Sequence, residues 1–306
     1  MKRTHFALNR KKRTFSPLFA VLFALLVVYV LVLMIPVIWS ILISLVDVAD
    51  YYDYLKNPLV LPNHLVFDNY INGIRDFNMA PPGYLPENFA EIIFQTLVYT
   101  FSCSLAATIV PCVMAYLAAR YDFRFSKVIY GIVVVTMAIP IIGNMPSEIT
   151  IAKLVGTFDN LWLFWIMKAN FLGIYFLLFH AMFKQIPRSY SEAARIDGAG
   201  NFTIMLRVMF PLVLGTFGIV FLLNFITFWN DYQIPYYYLQ SYPVVGSALF
   251  IFQLDPERVN GVPQLIAMIF TVAIPIILIA IIFNKKLMSN LSDGGIKEWL
   301  SFLSCG

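Results

Sequence analysis

An all-α integral membrane protein with six transmembrane helices and both termini cytoplasmic is the fold class this sequence predicts. Three observations predict it. The 306 residues are 60% hydrophobic and 12% charged, with a mean hydropathy of +0.77, whereas a soluble domain carries about a quarter charged residues. Six stretches reach the roughly 20 helical residues that a bilayer requires. Lys and Arg concentrate on alternate connecting segments, as the positive-inside rule demands. A large soluble α-helical enzyme is excluded, because so little polar sequence would not cover its core.

The first span, Thr14–Val46, follows Lys2, Arg3, Arg10, Lys11, Lys12 and Arg13. A signal peptide has this basic flank but an apolar core of only about 7–15 residues. The apolar run here is twice that, without a convincing small-residue cleavage site, so an uncleaved anchor is expected. Ile92–Ala119, Val128–Ser147, Val208–Asn230 and Val259–Asn284 also lack any Asp, Glu, Lys or Arg, while Asn160–Phe183 is interrupted by Lys168. A lone intramembrane lysine calls for a partner, and Asp159 is the expected one. Pro36, Pro111, Pro140 and Pro275 read as kinks. This gives a basic cytoplasmic N-tail (1–13), a six-helix transmembrane domain (14–284) and a cytoplasmic C-tail (285–306).

With the N-terminus inside, 16 of the 21 Lys and Arg fall on the cytoplasmic side, and only Asp122, Glu192, Asp197, Asp293 and Glu298 of the 17 acids do. The net charge of +4 follows from these inside-positive loops and requires no nucleic-acid partner. The external segment 47–91 is acidic and rich in Pro, Asn and Tyr, compatible with an ordered outer cap or an irregular connector. The external loop 231–258 carries Tyr232, Tyr236, Tyr237, Tyr238 and Tyr242. Boundary tyrosines form an interfacial belt or offer aromatic faces to a sugar and its carrier.

Covalent chemistry finds no support. Cys103 and Cys112 lie in the second span and Cys305 near the C-terminus, and His5, His64 and His180 occupy separate regions. Neither a disulfide framework nor a metal cluster is indicated. The chain has no phosphate-binding glycine loop and no Ser/His/Asp constellation, so no catalytic residue, metal or bound cofactor is assigned to it. Asn224, Thr227 and Asn230 recur at i, i+3 and i+6 on the fifth span, where they would serve as interhelical hydrogen bonds or line a translocation path or gate.

The most distinctive polar sequence lies in the loop 184–207. Pro187 suits a first helical turn. Arg188, Glu192 and Arg195 at i, i+4 and i+7 form one charged face, Ala193 and Ala194 permit close approach, and Gly198 suits the left-handed turn that stops a helix. Asn201 is the expected N-cap of the next helix. The residues alone allow a solvated amphipathic helix or a docking knob for a soluble partner.

This segment resembles the cytoplasmic signature of binding-protein-dependent ABC importer permeases: Glu-Ala-Ala, three residues, Gly, nine residues, Ile-x-Leu-Pro. The chain carries Glu192-Ala193-Ala194, Gly198 and Val208-x-Phe210-Pro211, with Val and Phe replacing Ile and Leu. The string from Glu192 to Ala199, with Trp229-Asn230-Asp231, is similar to the carbohydrate branch, and in particular to the shorter second permease of maltose-type importers. The resemblance implies a type I ABC importer permease fold in a prokaryotic cytoplasmic membrane. It implies that Pro187, Arg188, Glu192, Ala193, Ala194, Arg195, Asp197 and Gly198 couple to a separate ATP-binding ABC subunit dimer, which holds ATP and Mg. It further implies a homologous second permease, an external solute-binding protein reached through Tyr238, Tyr242, Pro243 and Gly246, a sugar substrate, and lipid around the spans. Gly294, Gly295 and Lys297 resemble the family's C-terminal Gly-Gly-x-Lys-Gly, though Glu298 replaces the last glycine and Trp299–Gly306 extends beyond it. An importer of glycerol phosphate or another non-sugar solute fits the same motifs. A secondary transporter would need midplane charges and inverted-repeat halves, and neither is seen.

Overall fold

The computed structural model describes residues 17–56, 64–78, 87–121, 125–139, 143–254, 261–279 and 281–282. The N- and C-tails, with Gly294, Gly295 and Lys297, lie outside the described residues, as do Pro140 and the prolines of the external segment. The helices are the regular elements among the described residues, joined by turns and short extended stretches. Four helices are long and apolar enough to cross a membrane: α1 (Pro17–Ser44), α4 (Phe89–Arg120), the rod Asn201–Trp229, and α14 (Val262–Ile279). The shorter helices are α2 (Tyr51–Lys56), α3 (Asp68–Asp76), α5 (Ser126–Ala138), α6 (Met145–Val155), α7 (Trp165–Lys168), α8 (Ile174–Gln185), α9 (Ser189–Ile196), α12 (Gln233–Tyr238) and α13 (Val245–Leu254). The rod consists of α10 (Asn201–Ile204), a π turn (Met205–Met209) and α11 (Phe210–Trp229).

Two expected spans differ from the sequence reading. Val128–Ser147 is not one helix: α5 ends at Ala138, and Ile139 turns extended at φ −90°, ψ 116°. Proline follows Ile139 in the sequence, and a residue before proline is driven out of the helical region. Asn160–Phe183 is likewise divided into the four-residue α7 and, after Asn170–Gly173, α8. Pro36 and Pro111 lie inside continuous helices.

The core is built around α4, whose neighbours are α5, α7, α8, α11 and α13. Thr96, Thr100, Ser104 and Thr108 recur at every fourth position and are completely buried, so one face of α4 is small enough for other helices to approach closely. Towards the end at Arg120, Cys112, Ala115 and Tyr116 pack with Phe176, Phe179 and Phe183 of α8 and with Ile204, Met209, Val213 and Val220. At the opposite end, Ile92 meets Phe77, Val245, Ala248 and Phe252, together with Met268 and Val272 of α14. Asn88 caps α4, accepting from the Glu91 N–H while the Glu91 carboxylate accepts from the Asn88 N–H, which satisfies two otherwise orphaned donors.

By contrast, α1 is exposed along nearly its whole length, and only Ile43 and Ser44 at its end are buried. That end is tied to α3. Buried Asn69 donates to the carbonyls of Ser44 and Val46 at 2.9 and 2.8 Å, and the hydroxyls of Ser44 and Tyr70 share a hydrogen bond of 2.8 Å. Asn69 therefore satisfies carbonyls that the helix leaves open at its C-terminus. Replacing it with the similarly sized leucine strands them, at a cost of about 1–3 kcal/mol. Asn69→Leu is expected to lower the thermal unfolding midpoint of the detergent-solubilised protein, whereas a surface Tyr52→Leu change leaves it in place.

Candidate functional site

The loop 184–207 folds into an exposed helix held at both ends. Ile186, preceding Pro187, is extended at ψ 126° and ends α8, again as proline requires. Pro187 thus stands before α9 rather than in its first turn, and Arg188 is the N-cap residue. The Arg188 carbonyl accepts from the backbone N–H groups of Ser191 and Glu192 and from the Ser191 hydroxyl. Glu192 lies in the first turn and Arg195 in the last, each the sign the helix dipole favours. Ala194 turns towards the core cluster, while Glu192, Ala193, Arg195 and Ile196 face outward, Ile196 with 86% of its surface exposed.

The far end of α9 is closed by a paired hydrogen bond. Gly198 adopts φ +81°, its N–H donates to the Arg195 carbonyl, and the Ala199 N–H donates back to that of Ala194 at 2.9 Å. This is the Schellman closure, with Ala194 and Ala199 in the position of its usual apolar contact. Space around Gly198 is open, so backbone conformation alone demands glycine there. Gly200, not Asn201, caps the next helix; Asn201 is its first residue, and its side-chain oxygen accepts from the Arg195 guanidinium at 3.5 Å.

The rod from Asn201 to Trp229 joins α9 to the membrane domain without interruption. Its π turn has a cause in the sequence. Pro211 offers no N–H to the Arg207 carbonyl, and its ring crowds that carbonyl. The preceding turn widens instead, with the Phe210 N–H donating five residues back to Met205. The proline of the signature motif thereby sets the local winding of the rod, a feature the hydropathy pattern did not reveal.

The three expected path residues separate. Asn224 is buried and donates to the Thr108 hydroxyl on α4 at 3.0 Å, which makes it an interhelical tie. Thr227 and Asn230 are exposed, each bonded to the carbonyl four residues back. Asn230 lines a cleft of about 420 Å³ with Trp229, Tyr232 and Gln253. Lys168 does not pair with Asp159: its ammonium lies 5.6 Å from the Phe164 ring centroid and 6.0 Å from that of Phe228, a cation–π arrangement. Asp159 instead accepts from the Ser241 N–H and hydroxyl at 2.8 and 2.5 Å.

The segment read as an external loop is folded against the core. The Tyr99 hydroxyl donates to Asp231 at 3.0 Å, and the other Asp231 oxygen accepts from the Ile234 N–H at the start of α12. Tyr238 and Pro243 are buried, and Tyr242 and Gly246 are partly buried. The Tyr238 hydroxyl donates to Glu148 at 3.2 Å. Burial, then the neighbouring Glu148 charge, pushes this phenol up to about 12, so it remains a donor across the physiological range. The aromatic surface left open belongs to Tyr232, Tyr236 and Tyr237. A Cβ on Gly246 would lie 2.6 Å from the Asp231 backbone oxygen, so α13 reaches the turn at Asp231 and Tyr232 that follows α11 only because residue 246 lacks a side chain. Gly246→Ala is expected to destabilise the protein by about 1–3 kcal/mol, read as a lower unfolding midpoint, while Gly218→Ala, in open space, leaves it nearly unchanged.

The sequence profile of the binding-protein-dependent transport system inner membrane component family matches residues 107–287. That region runs from the middle of α4 through α9, the π turn and α11 to beyond α14. The chain is 23% identical over 280 residues to the diacetylchitobiose uptake system permease protein NgcG of Streptomyces coelicolor, spanning 90% of this chain and 88% of that protein. It is 25% identical over 283 residues to the trehalose transport system permease protein SugB of Mycobacterium tuberculosis, spanning 91% and 96%. Among solved structures, a chain from a bacterial ABC transporter involved in the import of the acidic polysaccharide alginate has the same fold, with TM-score 0.69 at 22% identity over 89% of this chain and 98% of that one. The chain therefore belongs to the family of binding-protein-dependent transport system inner membrane components, as a multi-pass, non-catalytic permease subunit of an ABC importer.

Proposed function

We propose that this subunit translocates a sugar or oligosaccharide across a prokaryotic cytoplasmic membrane, driven by a separate ATPase dimer that carries ATP and Mg and docks on α9. The observation that carries this reading is the exposure of α9 on a rigid mount. Glu192, Ala193, Arg195 and Ile196 are offered outward, while the Schellman closure and the uninterrupted rod connect them to the membrane core. Closure of the ATPase would move α9 as a unit, and α11 would carry that movement to Asp231 at the other end. Alternating access then follows as rocking of the helices around the path. Orientation rests on the inside-positive charge pattern, and the divided helices α5–α6 and α7–α8 are read as the third and fourth crossings.

A homologous second permease completes the path in this reading. The exposed length of α1 and the polar Thr227 and Asn230 on the outside of α11 are surfaces for such a partner. An external binding protein would meet the open tyrosines Tyr232, Tyr236 and Tyr237 beside the cleft lined by Asn230. Carbohydrate is favoured because the named relatives are permeases for diacetylchitobiose and trehalose.

Uptake of radiolabelled oligosaccharides by cells expressing the complete importer tests the substrate class; uptake of glycerol phosphate but no sugar would overturn it. Glu192→Lys reverses the charge at the docking face, where a like-charge contact costs several kcal/mol. The variant is expected to insert normally yet lose uptake and binding-protein-stimulated ATP hydrolysis.

Gly198 separates mounting from charge. At φ +81° with open surroundings, asparagine is tolerated, whereas β-branched valine is a conformational outlier costing on the order of 1–3 kcal/mol. Co-purification of the ATPase with the permease is expected to be nearly normal for Gly198→Asn and strongly reduced for Gly198→Val. Equal recovery would show that the left-handed turn does not orient the docking face.

A further inference from the structure

We propose that the cleft where α4, α5 and α8 converge beside the coupling helix binds the phosphate headgroup of an anionic phospholipid. The cleft encloses about 880 Å³ and is lined by Arg120 of α4, Lys127 and Tyr130 of α5, His180 and Lys184 of α8, and Arg188, the N-cap residue of α9. Four of these are cations, and no carboxylate is among the described lining residues. Arg120 is held in an unusual state for a guanidinium. Its Nε is buried without a hydrogen-bond partner among the described residues, and one terminal nitrogen meets only the weak acceptor sulfur of Met209 at 3.5 Å. Buried polar groups are normally satisfied, and a phosphate, like a carboxylate, presents two oxygens that match the guanidinium fork.

The surroundings favour a lipid over a free anion. Small apolar residues, Ala118, Ala119 and Ala181, share the lining with the cations. Two of the contributing helices carry exposed apolar ridges away from the cleft: Val128, Ile132 and Val135 on α5, and Ile174 and Leu178 on α8. A charged pocket on helices whose other exposed sides are apolar suits a headgroup followed by acyl chains, and the inner leaflet supplies anionic lipids to basic sites at this depth. Because Arg188 both lines the cleft and caps α9, a headgroup there neutralises cations crowded at the foot of the coupling helix. The occupied cleft thereby steadies the mount through which the ATPase acts.

The test uses the assembled importer in nanodiscs of phosphatidylcholine with or without phosphatidylglycerol. Lipid retained after detergent transfer is counted by native mass spectrometry, alongside ATP hydrolysis. Each basic residue facing an anionic lipid strengthens binding by about fivefold, so Arg120→Gln with Lys127→Gln is expected to weaken phosphatidylglycerol retention roughly 25-fold. Lys127→Gln alone, at an exposed position in the first turn of α5, is expected to weaken it about fivefold, and Lys56→Gln leaves it at the wild-type level. Wild-type ATP hydrolysis is expected to rise with phosphatidylglycerol, and that of the double variant is not. Undiminished retention in both cleft variants would overturn the proposal. So would displacement of the lipid by inorganic phosphate, which would identify a free-anion site, or loss of the ATPase from the Lys127→Gln complex, which would make the cleft part of the subunit interface.

Discussion

Within a bilayer, apolar side chains gain little by leaving lipid for one another, so close approach and internal hydrogen bonds hold helices together. The face of α4 formed by Thr96, Thr100, Ser104 and Thr108 meets the first demand throughout and the second through three of its hydroxyls, the buried Thr100 hydroxyl having no partner among the described residues. Each of these side chains is small and fully buried. The Thr96 hydroxyl accepts from the Val245 N–H at 2.8 Å, where α13 begins, and the Thr108 hydroxyl accepts from Asn224 on α11. Thr96, Ser104 and Thr108 also donate to carbonyls four residues back along α4, so these hydroxyls do not enter the apolar interior unpaired. Tyr99 on the same helix secures Asp231. Of the other elements, α11 and the start of α13 are tied directly to this face.

The segment 184–207 was legible in the sequence because its residues act locally. Gly198 can adopt a left-handed turn, and Pro187 must end the preceding helix, whatever surrounds them. The finer boundaries depended on backbone choices that propensity does not decide: Gly200 took the cap expected of Asn201, and Pro187 fell outside α9. Hydropathy identified apolar stretches but could not see that an extended residue before Pro140 would end α5. It also passed over α13, which at 10 residues is shorter than any spanning window.

The polar assignments depended on tertiary partners. Asp159 is close to Lys168 in sequence, yet its oxygens are committed to Ser241, 82 residues away. Asn224, Thr227 and Asn230 look alike as a periodic set, but only Asn224 faces α4. The repeat of hydroxyl residues at every fourth position was the readable sign that this face would need donors from its neighbours. Tyr238 belonged by composition to a boundary belt, and its burial follows from packing with Tyr99, Leu161 and Phe164, while its hydroxyl reaches Glu148 on α6, a helix that the expected span cut at Ser147.

The π turn at the base of the rod also governs angular register. A helix advances about 100° and 1.5 Å with each residue, so by taking up one extra residue between Met205 and Met209 the wide turn sets the side of α11 from which α9 leaves. Losing one residue from the α-helical part of the rod would swing α9 about 100° around the rod axis and draw it about 1.5 Å closer to the membrane core, whereas losing one from the π turn lets that turn relax to ordinary winding with the heading nearly kept. Chain length in this stretch is therefore constrained independently of side-chain identity. Apolar substitutions of the kind seen at Val208 and Phe210 preserve the heading of α9, whereas a single-residue deletion from the α-helical part of the rod would redirect it.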